Sequence, residues 1–216
     1  YSTSYPESTR IKQMVQGKSI LVSRKEKDVE VRAKGYWGEA GYMPVETVEK
    51  LPDWLVRQKT GTTVASIGFN GGKIWPLEVM ESLVRNFFAA ILEGMVRFTV
   101  EWGDGKELQV NSRSLGKLFD NEKIRQAADV NGSAENFEFA KAMYAAISAP
   151  DEEIYEETRT FPNLGSMRIR LLKREGLPRR VGILRNGMYI TDSLERFQEK
   201  FARFPMSQDF VAVLRP

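Results

Sequence analysis

The stretch Pro76-Leu77-Glu78-Val79-Met80-Glu81-Ser82-Leu83-Val84-Arg85-Asn86-Phe87-Phe88-Ala89-Ala90-Ile91-Leu92-Glu93-Gly94 decides the fold. Its apolar residues Leu77, Met80, Leu83, Val84, Phe87, Phe88 and Ile91 recur at helical spacing and make one stripe, the pattern of a helix that buries one side. Pro76 suits a first-turn position, where its missing N–H costs nothing, and Gly94 suits the residue just past the last turn. Directly after it, Met95–Trp102 alternates, with Val96, Phe98, Val100 and Trp102 on one side. The turn Gly103-Asp104-Gly105 sends the chain back through Leu108 and Val110, which predicts a β-hairpin.

Beyond the hairpin the pattern predicts shorter helices over 114–128 and another over 134–148, with Ser133 as N-cap and Pro150 past its end. Strands follow at 153–160, 166–173 and 180–184, with Met188–Thr191 extending the last. A helix over about 193–202 and a strand at 209–214 complete the reading.

Toward the N-terminus, Pro6 at a first turn and Gly17 as a stop predict a short helix over 6–16. Ser19–Arg24 reads as a strand and Lys25–Asp28 as a charged turn. Val29, Val31 and Ala33 then alternate with Glu30, Arg32 and Lys34, which predicts a hairpin with one buried face. Residues 35–60 are irregular, with Gly35, Gly38, Gly41, Pro44 and Pro52. Tyr36, Trp37 and Tyr42 in this connection are expected to be exposed and to serve a dimer or partner contact. Gly61 opens a third strand, Thr62 to Phe69, and Gly71-Gly72 marks a boundary. The fold class is α+β: a mixed sheet with at least two crossover helices, in two parts, 1–72 and 73–216.

Composition narrows the chemistry. The 216 residues carry 32 Lys+Arg against 29 Asp+Glu, and neither histidine nor cysteine. This excludes disulfides, thiolate nucleophiles, Cys- or His-based metal sites and an imidazole base. Carboxylate, hydroxyl, Lys/Arg and positional chemistry remain, the kind that phosphoryl transfer uses. Hydrophobic residues at 42% rule out a disordered chain. No apolar run approaches the ~20 residues that cross a bilayer, so the expected location is cytoplasmic. The first residue is Tyr1, not Met, and the chain is read as an excerpt of something longer.

Three motifs carry chemistry. Gly61-Thr62-Thr63 can offer hydroxyls and amides to a phosphate; equally, Thr is a common strand former. Between Arg168 and Arg185 stand seven basic residues, Arg168, Arg170, Lys173, Arg174, Arg179, Arg180 and Arg185, against one acid, Glu175. Cations around the turn Gly176-Leu177-Pro178 suit a phosphate sensor; a solvated loop that binds nucleic-acid phosphates is the other reading. The acidic run Asp151, Glu152, Glu153, Glu156 and Glu157 is expected to pair with the basic strands or face solvent, and less readily to hold magnesium. Phe69-Asn70-Gly71-Gly72-Lys73-Ile74 fails as a phosphate loop, because Ile74 follows the lysine where Ser or Thr is needed.

The order helix, strand ending Ser-Arg-Lys, strand, glycine-bearing connection and Gly61-Thr62-Thr63-Val64 resembles the C-terminal part of the GHKL nucleotide-binding domain. That superfamily includes gyrase, the ninety-kilodalton heat-shock chaperones, histidine kinases and MutL. Residues 74–216 resemble the transducer (middle) domain that follows it. The stretch Pro178-Arg179-Arg180-Val181-Gly182-Ile183-Leu184-Arg185-Asn186-Gly187-Met188 is similar to the chaperones' basic-pair-then-apolar strand. The resemblance implies a conformational switch in which ATP binding closes a homodimer and drives an attached effector. It puts Gly61, Thr62 and Thr63 at the floor of an ATP pocket, and makes Lys173, Arg179 and Arg180 the candidates that meet the γ-phosphate. The superfamily's Asn/Glu helix, Asp-x-Gly-x-Gly box and glycine-rich lid have no match in this sequence. Mg2+ and catalysis would therefore depend on residues outside the chain. The alternative is a non-enzymatic binding module whose basic edge contacts nucleic acid or a protein partner.

Overall fold

The computed structural model describes residues 2–7, 10–20, 24–31, 34–66, 68–103, 105–163, 165–193 and 208–216. These form two compact units, Tyr1–Asn70 and Gly71–Pro216.

In the first unit the expected helix over 6–16 is absent. Strands β1 (Ser2–Glu7) and β2 (Arg10–Val15) form an antiparallel hairpin, and β7 (Gly61–Thr63) joins β1, giving the order β2-β1-β7. The period-two burial of Gln13 and Val15 explains the outcome. Val15 exchanges backbone hydrogen bonds of 3.0 and 2.7 Å with Val45, thirty positions away, and packs with Val45, Leu51 and Leu55. A helix would turn these two residues to opposite sides and could not bury both against one partner, so the non-local contact outweighs the local punctuation. Pro6 lies on the part of β1 beyond its register with β7, where no strand among the described residues needs its N–H.

The charged hairpin forms as expected, turning at Lys27 and Asp28 (φ +48° and +67°) between β4 (Arg24–Glu26) and β5 (Val29–Val31). It continues as β3 (Gly17–Ile20) paired with β6 (Lys34–Trp37). Val29, expected on a buried face, is 63% exposed. The strand expected from Gly61 to Phe69 stops at Thr63. Trp37 and Tyr42 are exposed as expected. Tyr36 is half-buried, meets the Tyr42 ring edge-on at 5.2 Å, and buries its hydroxyl.

The second unit follows its sequence pattern closely. Helix α1 (Trp75–Leu92) has Pro76 in its first turn and is followed by Gly94 at φ +70°. Its stripe, Met80, Val84, Phe88 and Ile91, is buried. The hairpin of β8 (Phe98–Trp102) and β9 (Lys106–Val110) leads into α2 (Leu115–Phe119) and α3 (Glu122–Val130). The Asn121 side chain caps α3 by accepting from the Lys123 and Ile124 N–H groups at 3.0 and 3.3 Å. Helix α4 (Ala134–Ser148) follows.

A five-stranded mixed sheet closes the unit. Its strands are β10 (Ile154–Phe161), β11 (Gly165–Lys173), β12 (Arg180–Arg185), β13 (Met188–Thr191) and β14 (Phe210–Arg215). They stand in the order β10-β11-β14-β12-β13, with β12 and β14 parallel and the other neighbours antiparallel. Leu172, Leu184, Val211 and Val213 on one face pack into the helical core with Phe88, Phe137 and Met143. The helix expected over 193–202 lies outside the described residues, apart from its first position.

Candidate functional site

In the first unit, Gly61, Thr62 and Thr63 lie on β7 opposite Ser4, Thr3 and Ser2. Thr62 is exposed, while the half-buried Thr63 hydroxyl accepts a hydrogen bond from Arg57 Nη1. Gly61 has φ +150°, and a Cβ there would lie 2.5 Å from Arg57 Nη2, so the guanidinium occupies the space that a side chain would need. Gln13 holds that arginine in place. Its Oε1 accepts from the Arg57 backbone N–H at 3.0 Å, and its Nε2 donates to the Leu55 carbonyl. The Gly-Thr-Thr element is thus a short strand with a cation beside it. Arg57 went unrecognised because it sits in a stretch read as irregular; the only sequence signal was a lone arginine shortly before Gly61.

In the second unit, the acidic run pairs with the basic strands, as expected. Register places Glu156 opposite Arg170 and Thr158 opposite Arg168. Arg170 bonds Glu156 at 2.9 Å and the Ala149 carbonyl at 3.1 Å. Arg174 bonds Glu153 at 2.8 Å, and Arg168 lies 3.6 Å from Glu156. Much of the basic charge between Arg168 and Arg185 is thereby met inside the sheet. Among the described residues no group of three or more acidic side chains converges on a possible metal position.

The turn after β11 is built on Asp209. Its Oδ2 accepts from the Gly176 N–H at 2.9 Å, its Oδ1 accepts from Arg179 Nε at 2.8 Å, and its carbonyl accepts from the Arg174 N–H at 3.2 Å. The Gly176 N–H and then Arg179 hold the Asp209 carboxyl below the usual carboxylate range. Arg179 itself has φ +51°, a left-handed conformation uncommon for a residue with a Cβ. Lys173, Arg174, Glu175, Arg179, Gln208 and Asp209 bound a cleft of about 410 Å³. Among the described residues the Lys173 ammonium has no ion-pair or hydrogen-bond partner.

Arg180 turns away from that cleft. It pairs with Asp192, bonds Glu135 at 3.0 Å, and stacks on the Phe139 ring at 4.0 Å. Burial alone would raise the Asp192 carboxyl, but Arg180 and a hydrogen bond from Tyr189 outweigh it and hold it low. Burial, together with the Asp192 charge, pushes the Tyr189 phenol up to about 12. Lys173 and Arg179 therefore share one cleft, while Arg180 fastens β12 to α4 and to the end of β13. Lys73 is exposed in the turn before α1.

No helix among the described residues is long and apolar enough to cross a membrane. No known protein family matches the chain, and no curated protein matches it.

Proposed function

We propose that this chain is part of a GHKL-type ATP-dependent switch: the end of a nucleotide-binding domain followed by a transducer domain that reports the γ-phosphate. The observation that carries the proposal is the cleft after β11, where Lys173, without a charged partner among the described residues, and a preset Arg179 border one opening. Such a pair suits a transferring phosphoryl group, whose charge must be met by cations already in position. Arg179 is oriented by Asp209, so little reorganisation is required when an anion arrives. Gly61, Thr62 and Thr63 would form the floor of the ATP pocket, with the Arg57 guanidinium beside them. Arg180 has a structural role in this reading, and Lys173 and Arg179 take over as sensors. Bound ATP supplies the phosphoryl group and would bring Mg2+, for which no group of three or more carboxylates is gathered among the described residues.

The alternative, binding of nucleic acid by a basic edge, loses weight because Arg168, Arg170, Arg174 and Arg180 all face carboxylates, which leaves few cations along that edge for a polyanion. The test uses the protein expressed from its complete reading frame. Charge reversal of Lys173 and Arg179 together should lower ATP turnover on the order of 100-fold or more while leaving nucleotide affinity within a few-fold. Unchanged turnover would remove the sensor assignment. Nucleic-acid affinity that falls steeply with salt, with no response to ATP analogues, would establish the binding module instead.

A further inference from the structure

We propose that β10 is a homodimer contact, in which the strands of two copies pair antiparallel about Thr158 and join their sheets edge to edge. Strand β10 is the outer strand of the five-stranded sheet, and among the described residues no strand pairs with its free side. Its eight residues, Ile154–Phe161, run without proline. Tyr155 and Phe161 are 59% and 43% exposed, and Arg159 between them is 66% exposed. A long edge with exposed aromatics is a template for another strand, which proteins ordinarily blunt with charge. Here the charges select the partner.

Residues opposite each other in an antiparallel pair point to the same face, so a two-fold axis between identical strands must pass through a residue that faces itself. Few registers are therefore available. Centring on Glu157 sets carboxylate against carboxylate, and centring on Arg159 sets guanidinium against guanidinium. Centring on Thr158 sets Glu157 opposite the partner's Arg159 twice, Tyr155 opposite the partner's Phe161 twice, and Thr158 opposite itself. Opposite charges and aromatic pairs in directly facing positions are the stabilising cross-strand combinations, and like charges the destabilising ones. Within one copy, Glu157 already bonds Arg159 at 2.6 Å and accepts from the Tyr155 hydroxyl at 2.7 Å. The same three groups are ready to exchange partners across the axis. This contact makes no use of nucleotide and stands whether or not the chain belongs to an ATPase.

The experiment is sedimentation of the chain at micromolar concentration, with and without ATP. A dimer indifferent to ATP is expected, and a monomer overturns the proposal. Glu157→Arg and Arg159→Glu should each weaken the dimer by at least about tenfold. An equimolar mixture of the two single variants should dimerise again, because every facing pair is then of opposite charge. Dimers of undiminished affinity in either single variant, or a mixture that stays monomeric, would overturn it. The chain contains no cysteine, so Thr158→Cys supplies a lone thiol at the axis. It should form an interchain disulfide under mild oxidation, whereas Glu156→Cys should cross-link only when mixed with Thr160→Cys. Equal cross-linking of Glu156→Cys alone would rule out the Thr158 register.

Discussion

Ser133 donates a 3.1 Å hydrogen bond to the carboxylate of Glu81, a side chain only 1% exposed in the middle of α1. Arg85, one turn on, closes the site with a 2.5 Å ion pair. Ser133 precedes α4 as its pattern predicts, but its hydroxyl serves the buried acid and the Ala128 carbonyl, not the α4 amides. Removing the acid leaves the guanidinium without its carboxylate. Glu81→Ala should cost about 3 kcal/mol, and Glu81→Gln less, read as a lower urea midpoint at unchanged slope.

Gly187 carries the backbone past α1. Its φ is +72°, its carbonyl accepts from the Ala90 N–H at 2.9 Å, and a Cβ would lie 2.6 Å from the Ala90 Cβ. Gly187→Ala is strained in backbone and blocked by a helix that cannot shift. A loss of about 3 kcal/mol is expected, measured by thermal or urea unfolding.

Tyr189 should set an alkaline limit. Its folded pKa, near 12, lies above the ordinary value of 10. The stabilisation is complete below pH 10 and disappears as pH rises from 10 to 12, because the unfolded chain releases that proton first. Tyr189→Phe should flatten the fall in stability across that window. In a spectrophotometric titration, a tyrosine step near pH 12 should be present, and this variant should lose it.

Arg179 and Arg180 are neighbours with unequal expected effects. Arg180→Ala removes two carboxylate partners and the stacking on Phe139, and should cost about 2 kcal/mol. Arg179→Ala breaks an exposed pair and should cost less than about 1 kcal/mol. Chemical unfolding of both variants checks the contrast.

Tyr36 buries a hydroxyl with no hydrogen-bond partner among the described residues. Tyr36→Phe should leave stability unchanged or raise it by up to about 1 kcal/mol, measured by denaturant unfolding. A clear loss would show that the hydroxyl is bonded in solution.

The second unit was legible because its signals are local. The α1 stripe from Met80 to Ile91, the hairpin around Gly103 and the strands after Pro150 each record burial at their own period. The first unit was less so. The span 6–16 has helical punctuation, yet Gln13 and Val15 alternate because Leu55, Arg57 and Val45 wait for them across a long loop. The candidate site divided in the same way. The basic residues and their turn could be read directly, whereas Asp209, which organises Arg179, joins them from thirty residues away.

By itself the sequence determined the absence of thiol and imidazole groups from this chain, the α+β class, and the helix and strand pattern of the described residues from Trp75 onward. These follow from residue type and spacing alone. Only the tertiary structure decided which charges remain available. The placement of β14 between β11 and β12 brings Asp209 to Arg179, and the hairpin of β10 with β11 brings Glu156 to Arg170. Arg180 is turned toward Asp192 and Phe139 by strand alternation, leaving Lys173 and Arg179 at the cleft. An ion pair depends on distance in space, and sheet order sets that distance between residues that no local pattern connects.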